Sequence, residues 1–99
     1  NFQPSLPVKF VLNDNYPNPF NPQTNISFTV PSSGNINLTV YNITGQKVYT
    51  LIDGYKQSGE HNVQWNGMDQ NGNQVSSGIY FYSLKTDASS MTKSMVLLK

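Results

Sequence analysis

From Thr24 onward the chain alternates apolar and polar residues with a period of two. Ile26, Phe28 and Val30 share one side of a segment whose Thr24, Asn25, Ser27 and Thr29 are polar. Ile36, Leu38 and Val40 repeat the arrangement against Asn35, Asn37, Thr39 and Tyr41. Successive side chains of a strand point to opposite faces, so the pattern predicts half-buried β-strands. His61, Val63 and Trp65 form a further set, as do Tyr80, Tyr82 and Leu84 against Ile79, Phe81 and Ser83. A short strand at Val8–Leu12, another from Val48 to Ile52 and a last one from Met91 to Leu98 bring the count to about seven. In the Val48–Ile52 strand the pattern leaves two inward sets open, Val48/Thr50/Ile52 or Tyr49/Leu51, which differ by a bulge.

Turn residues punctuate these runs. Pro31-Ser32-Ser33-Gly34, Thr44-Gly45, Asp53-Gly54 and Ser58-Gly59 fall between them, and no window carries a helical stripe with caps. Tyr16-Pro17-Asn18-Pro19-Phe20-Asn21-Pro22 excludes both a helix and a central strand, because proline lacks the N–H donor and pushes its predecessor to extended backbone. Asn71-Gly72 offers the two residues that best tolerate positive φ, which predicts a type I′ hairpin turn, with Asp69 placed to accept backbone N–H groups. Residues 1–7 read as a Pro-spaced linker and residues 8–99 as one domain. Short strands at this spacing predict an all-β chain folded as an antiparallel two-sheet sandwich. Trp65 is expected to anchor its core, among Ile26, Phe28, Leu38, Val40, Val63, Tyr80 and Tyr82.

Composition narrows what such a sandwich does. The 99 residues contain no Cys, so no disulfide holds the fold. Charged residues make up only 11%, and the surface is left to Asn, Ser, Thr and Gln, a coat common in exported β-domains. All six basic residues are scattered Lys and the net charge is +1, which argues against a nucleic-acid partner. No apolar run approaches the roughly 20 residues of a membrane-spanning helix. Three N-x-[ST] triplets, at Asn25, Asn37 and Asn42, follow from the abundance of these residue types.

Candidate chemistry is sparse. The only His, His61, lies on an alternating strand and reads as a rim residue bonded to backbone. Asp14, Asp53, Glu60, Asp69 and Asp87 are dispersed through turns, where carboxylates serve nearby N–H groups. Asp69-Gln70-Asn71-Gly72-Asn73 alternates oxygen donors around a Gly but lacks the bidentate Glu of an EF-hand, so no metal is assigned to it. Tyr16, Phe20, Tyr41, Tyr49, Tyr55 and Phe81 offer rings for sugar stacking, although packing accounts for most of them. Neither a catalytic residue nor a cofactor is expected.

Five motifs in order carry a resemblance. These are Tyr16–Pro22, Val40-Tyr41-Asn42-Ile43-Thr44-Gly45-Gln46-Lys47-Val48, Gly59-Glu60-His61, the run from Trp65 through Asn66-Gly67 to Ser77-Gly78-Ile79-Tyr80-Phe81-Tyr82, and the ending Lys93-Ser94-Met95-Val96-Leu97-Leu98-Lys99. Together they resemble the C-terminal sorting domains of the bacterial type IX secretion system, found on large secreted proteins of the Bacteroidetes and their relatives. The middle of the chain is also similar to the immunoglobulin-like domain of flagellar hook-capping proteins. The longer Asp69–Val75 stretch is more typical of the hook-capping style, and the C-terminal ending favours sorting.

The resemblance implies an immunoglobulin-like sandwich with a non-catalytic role. Such a domain labels an N-terminal cargo in the same chain for passage across the outer membrane, from the periplasm to the cell surface or medium. Its partners are the outer-membrane translocon and sorting machinery. The residues implied for recognition are Gly78 and Tyr80 of the Ser-Gly-x-Tyr step and Lys93, Met95, Val96, Leu97, Leu98 and Lys99 of the last strand, whose edge is expected to be accessible. Trp65, Asp69, Asn71 and Gly72 are expected to be structural. A structural or adhesive module, hook-cap-like or carbohydrate-binding, is the alternative.

Overall fold

The computed structural model describes residues 9–98. Seven strands follow in chain order: β1 (Val11–Leu12), β2 (Thr24–Val30), β3 (Gly34–Tyr41), β4 (Lys47–Lys56), β5 (Gly59–Trp65), β6 (Gly78–Lys85) and β7 (Ser90–Leu97). They form two antiparallel sheets, one in the order β1-β2-β5 and the other β4-β3-β6-β7. This is the immunoglobulin-like sandwich expected from the sequence, with β4 placed beside β3 in the larger sheet. The expected linker, residues 1–7, and Lys99 lie outside the described residues.

The core is the one the alternation specifies. Ile26, Phe28 and Val30 of one sheet meet Ile36, Leu38, Val40, Tyr82 and Leu84 of the other, all buried. Trp65 is 1% exposed, and Val63 is half-buried against the same cluster. Removing a large aromatic or aliphatic side chain from water stabilises the fold by about 1.5–3 kcal/mol, which makes this face of each strand the main determinant of register.

Three local expectations are corrected. Among the described residues the first strand spans only Val11–Leu12, because pairing with β2 ends at Thr29, although Phe10 also packs on the core; Val8 of the expected strand lies outside the described residues. Thr24 is buried, not solvated, since its hydroxyl is spent within the Pro-rich segment, donating to the Pro17 carbonyl at 2.8 Å. The Asn71-Gly72 turn is not type I′, because among the described residues only glycines have positive φ, and Asn71 does not. Instead the three-residue loop Gln70-Asn71-Gly72 is closed by Gly72 N–H to Asp69 carbonyl (3.0 Å) and Asp69 N–H to Asn73 carbonyl (2.8 Å), and Gly72 alone is left-handed at φ 84°. This is the arrangement of a tight turn followed by a glycine bulge.

The ambiguity in β4 resolves into both of its alternatives. Pairing with β3 shifts register twice, between Leu38 and Thr39 and between Val40 and Tyr41, leaving Leu51 and Val48 without a partner in the ladder. Each bulge resets which side chains turn inward. Val48 is therefore buried while Tyr49, Leu51 and Ile52 also pack on the core.

Candidate functional site

Most of the motifs singled out in the sequence come together at one end of the sandwich, where β2 and β6 begin and β5 and β7 finish, whereas Gly59-Glu60-His61 opens β5 at the other end. Trp65 is their centre. Its ring lies 5.7 Å from that of Phe20, centroid to centroid, and 5.5 Å from that of Tyr80 in an edge-on contact. The indole N–H donates to the Met68 carbonyl at 3.0 Å, which fixes the chain as it leaves β5. Two residues on, Gly67 is left-handed at φ 76°, and a Cβ there would sit 3.3 Å from the Pro22 carbonyl oxygen and 3.7 Å from Leu97 Cδ2. The Pro-rich segment, the Trp-Asn-Gly step and the terminal strand thus touch at one residue that has no side chain.

Tyr80 belongs to this core more than to the surface. It is 6% exposed, and its hydroxyl donates to the Ser76 carbonyl, four residues upstream, at 2.6 Å. A tyrosine near the start of the sixth strand that bonds back to the preceding backbone is the tyrosine corner of immunoglobulin-like sandwiches. Gly78 opens β6 with φ 153° and open space where a Cβ would stand. The Ser-Gly-x-Tyr step accordingly shapes the corner from which β6 starts.

β7 is an edge strand, but its edge is not free along its length. The Phe20 N–H donates to the Val96 carbonyl and the Leu98 N–H to the Phe20 carbonyl, both at 2.9 Å. Between them the Val96 N–H donates to Asn18 Oδ1 at 3.0 Å. The last three described positions are thereby capped by the Pro-rich segment, which prolines keep from continuing as a strand. That segment is itself braced, because Asn15 Nδ2 donates to both the Pro17 carbonyl (3.2 Å) and Thr24 Oγ1 (3.0 Å). Farther back, Lys93 points to the inner side and pairs with Asp14 at 2.9 Å. A charge turned inward on an edge strand discourages addition of a further strand. The accessible edge expected for the terminal strand is therefore reduced by a cap and an inward lysine.

Alternation along β7 sorts the remaining candidates. Met95 and Leu97 are 0% and 2% exposed and belong to the core. Val96 is half-buried on the outer face opposite Ile79, which is 46% exposed, and Leu98 follows on the same side at 51%. The terminal run thus holds the sheet with one set of side chains and presents apolar groups outward with the other.

The opposite edge of this sheet, β4, is covered by the Asp69 loop. Gln70 N–H donates to the Val48 carbonyl at 3.0 Å, and its side-chain Oε1 accepts the Thr50 N–H at 3.1 Å. Asp69 Oδ1 accepts the N–H groups of Asn71 and Asn73, each at 3.0 Å, holding the loop in shape. Among the described residues no three of His, Cys, Asp and Glu gather where they would hold a metal ion. His61 stacks on Phe28 at 5.4 Å and its Nε2 lies 2.7 Å from the Gln57 carbonyl, a rim position bonded to backbone. Burial, with a further push from Asp14, raises the Tyr82 phenol to about 12 although a backbone N–H of Asn15 opposes this. Its hydroxyl donates to the Asn13 carbonyl at 2.7 Å, tying β6 to the end of β1.

Sequence reasoning missed Phe20 and Gln70 as edge caps. Phe20 was detectable as the lone large apolar residue between three prolines; Gln70 had no comparable signal.

Comparison with known proteins bears on the same architecture. The sequence matches the FlgD Ig-like domain family over residues 14–90, which leaves nearly all of β7 beyond the match. No sequence relative is found among curated proteins. Among solved structures, the chain is similar to dimeric latent PorU from Porphyromonas gingivalis, with TM-score 0.72 and 17% identity over 91% of this chain and 9% of that one. It is similar to PorZ, described as an essential bacterial surface component of the type-IX secretion system of the same organism, with TM-score 0.60, 21% identity and coverage of 91% and 11%. It is also similar to FlgD from P. aeruginosa, with TM-score 0.60, 24% identity and coverage of 90% and 69%. At these identities the likeness is one of fold. The chain spans about a tenth of the PorU and PorZ chains.

Proposed function

We propose a non-catalytic export and sorting role for this chain, which belongs to the FlgD Ig-like domain family. In this reading the domain labels a cargo carried N-terminal to it, passes through the periplasm, and is recognised by the outer-membrane translocon of a type IX secretion system on the way to the cell surface or medium. The observation that carries the proposal is the construction of the terminal strand. Met95 and Leu97 anchor β7 in the core while Val96, Leu98 and the neighbouring Ile79 face outward. Every other sequence motif at this end serves to hold that strand: Phe20 and Asn18 cap it, Gly67 makes room for Leu97, and Tyr80 fixes the corner of its partner β6. A recognition element must keep a fixed shape to be read, and apolar groups left outward on such a strand suit contact with a partner.

The likeness in fold to PorZ and PorU supports this reading. A hook-cap-like structural role is supported equally by the family match and by the P. aeruginosa FlgD likeness. The two readings separate on one experiment. Residues 1–99, which keep β1 and its contacts, are fused behind a signal peptide and a reporter in a type IX-competent host. Export of the reporter supports sorting. Periplasmic retention, together with pull-down of flagellar hook subunits by the domain, favours the structural role.

A further inference from the structure

The outward face of the β4-β3-β6-β7 sheet is unevenly polar. Asn37, Thr39, Ser83 and Thr92 occupy one part, with Thr39 and Ser83 buried and Thr92 exposed, while Tyr41 and Phe81 stand beside them. The Cα atoms of Tyr41 and Phe81 are direct cross-strand partners, yet neither ring stacks on the other. A groove of about 360 Å³ lies over this junction. Its lining includes Tyr41, Phe81 and the 69% exposed Ile43 as apolar members, and Ser83, Thr92 and Lys85 as polar ones.

The polar members have capacity to spare. The Thr92 hydroxyl donates to Ser83 Oγ at 3.1 Å, which leaves the Ser83 hydroxyl proton and the Thr92 lone pairs available. Lys85 is exposed, and its ammonium group has no hydrogen bond or ion pair among the described residues. We propose that this groove is a binding site for an acidic saccharide. A sugar ring has an apolar C–H face, which suits the aromatic pair, and a rim of hydroxyls, which suits Ser83 and Thr92. Lys85 is a compact cation on a flexible stem that can meet a carboxylate. The volume lies at the low end of the roughly 300–1,000 Å³ of small-ligand sites, too small for the area a stable protein interface buries. The inference stands apart from the sorting reading and does not depend on it.

The test uses the purified, ¹⁵N-labelled domain with three probes: digalacturonate, cellobiose and the tripeptide Val-Ile-Val. Digalacturonate is expected to shift the amides of Tyr41, Phe81, Ser83, Lys85 and Thr92, and to bind about fivefold or more tightly than cellobiose at low salt. That advantage is expected to vanish at high salt, where exposed charges are screened, and in Lys85→Gln. Phe81→Ala should remove saccharide binding and Phe81→Tyr restore it. Lys85→Gln, an exposed change that leaves the fold intact, keeps the test decisive if Phe81→Ala unfolds. Equal binding of the two saccharides overturns the acidic part of the assignment. Absence of saccharide shifts, or shifts with the tripeptide alone, overturns it entirely.

Discussion

Phe20 and Leu97 form an isolated parallel bridge, so a residue held between prolines completes the edge of the strand that closes the chain. The same ring packs on Trp65. Edge protection and core packing are thus supplied by one side chain and its own backbone, and loosening the terminal strand should loosen the centre of the sandwich with it.

Gly67→Ala tests the convergence. The new Cβ would face the Pro22 carbonyl at 3.3 Å from a left-handed backbone at φ 76°. Left-handed backbone costs a residue with a Cβ about 1–2 kcal/mol, and the tight contact adds to this. Urea unfolding should show a loss of about 2 kcal/mol, whereas Gly34→Ala, where a Cβ meets nothing, should change stability little.

Tyr80→Phe removes only the hydroxyl that reaches the Ser76 carbonyl at 2.6 Å. The ring and its contact with Trp65 remain. Ser76 is exposed and water can reach its carbonyl, so the loss is that of an ordinary hydrogen bond, about 0.5–1.5 kcal/mol, and the midpoint of urea unfolding should fall with its slope unchanged. Full stability of this variant with failure in export alone would contradict the structural role of the hydroxyl.

Most of the fold was legible because the alternation is strict wherever one face is buried. Ile26, Phe28, Ile36, Leu38, Tyr82 and Leu84 each lie on the face the pattern assigns. Where two residues were inserted into β4, alternation lost its meaning, and only the backbone shows that Leu51 and Val48 stand outside the ladder. The turn at Asn71-Gly72 was misread for a related reason. Asn tolerates positive φ but does not require it, and the backbone bonds of Asp69 select a three-residue loop. The edge caps at Asn18 and Gln70 were illegible because they act through pairings with residues far away in sequence, to which no local pattern points, and only Phe20 carried a local sign, an apolar side chain among prolines.

Tyr82 predicts a specific alkaline limit. Its folded-state value of about 12 lies above the ordinary 10 of an unfolded tyrosine, so the protonated form is favoured in the native state. This contribution is fully present below pH 10 and is lost as pH rises through about 12, in proportion to the extra protons the native state holds. A two-unit shift corresponds to about 2–3 kcal/mol. Stability measured by urea unfolding from about pH 10 to pH 12 should therefore fall more steeply in the wild type than in Tyr82→Phe.

Asp69 is a turn-holding residue in this account. Its Oδ1 is engaged by two backbone N–H groups, and Asp69→Ala should cost about 1–3 kcal/mol by freeing them and releasing Gln70 from the β4 edge. Asp69→Asn, which keeps the acceptor oxygen, should recover most of that loss. Added calcium or a chelator should leave the melting temperature of the wild type unchanged, and a rise with calcium would assign the loop a second role.

The outward side chains of the terminal strand offer the most direct measurement. Deleting residues 95–99 would remove Met95 and Leu97 from the core and confuse unfolding with loss of recognition. Val96→Thr with Leu98→Ser changes only the outward set. A reporter fused to residues 1–99 is therefore followed in a type IX-competent host, with melting of each purified domain as the control for folding. The account predicts that the wild-type fusion reaches the medium or cell surface, while the folded double variant stays in the periplasm. Periplasmic retention of the wild-type fusion, or undiminished export of the double variant, would contradict it.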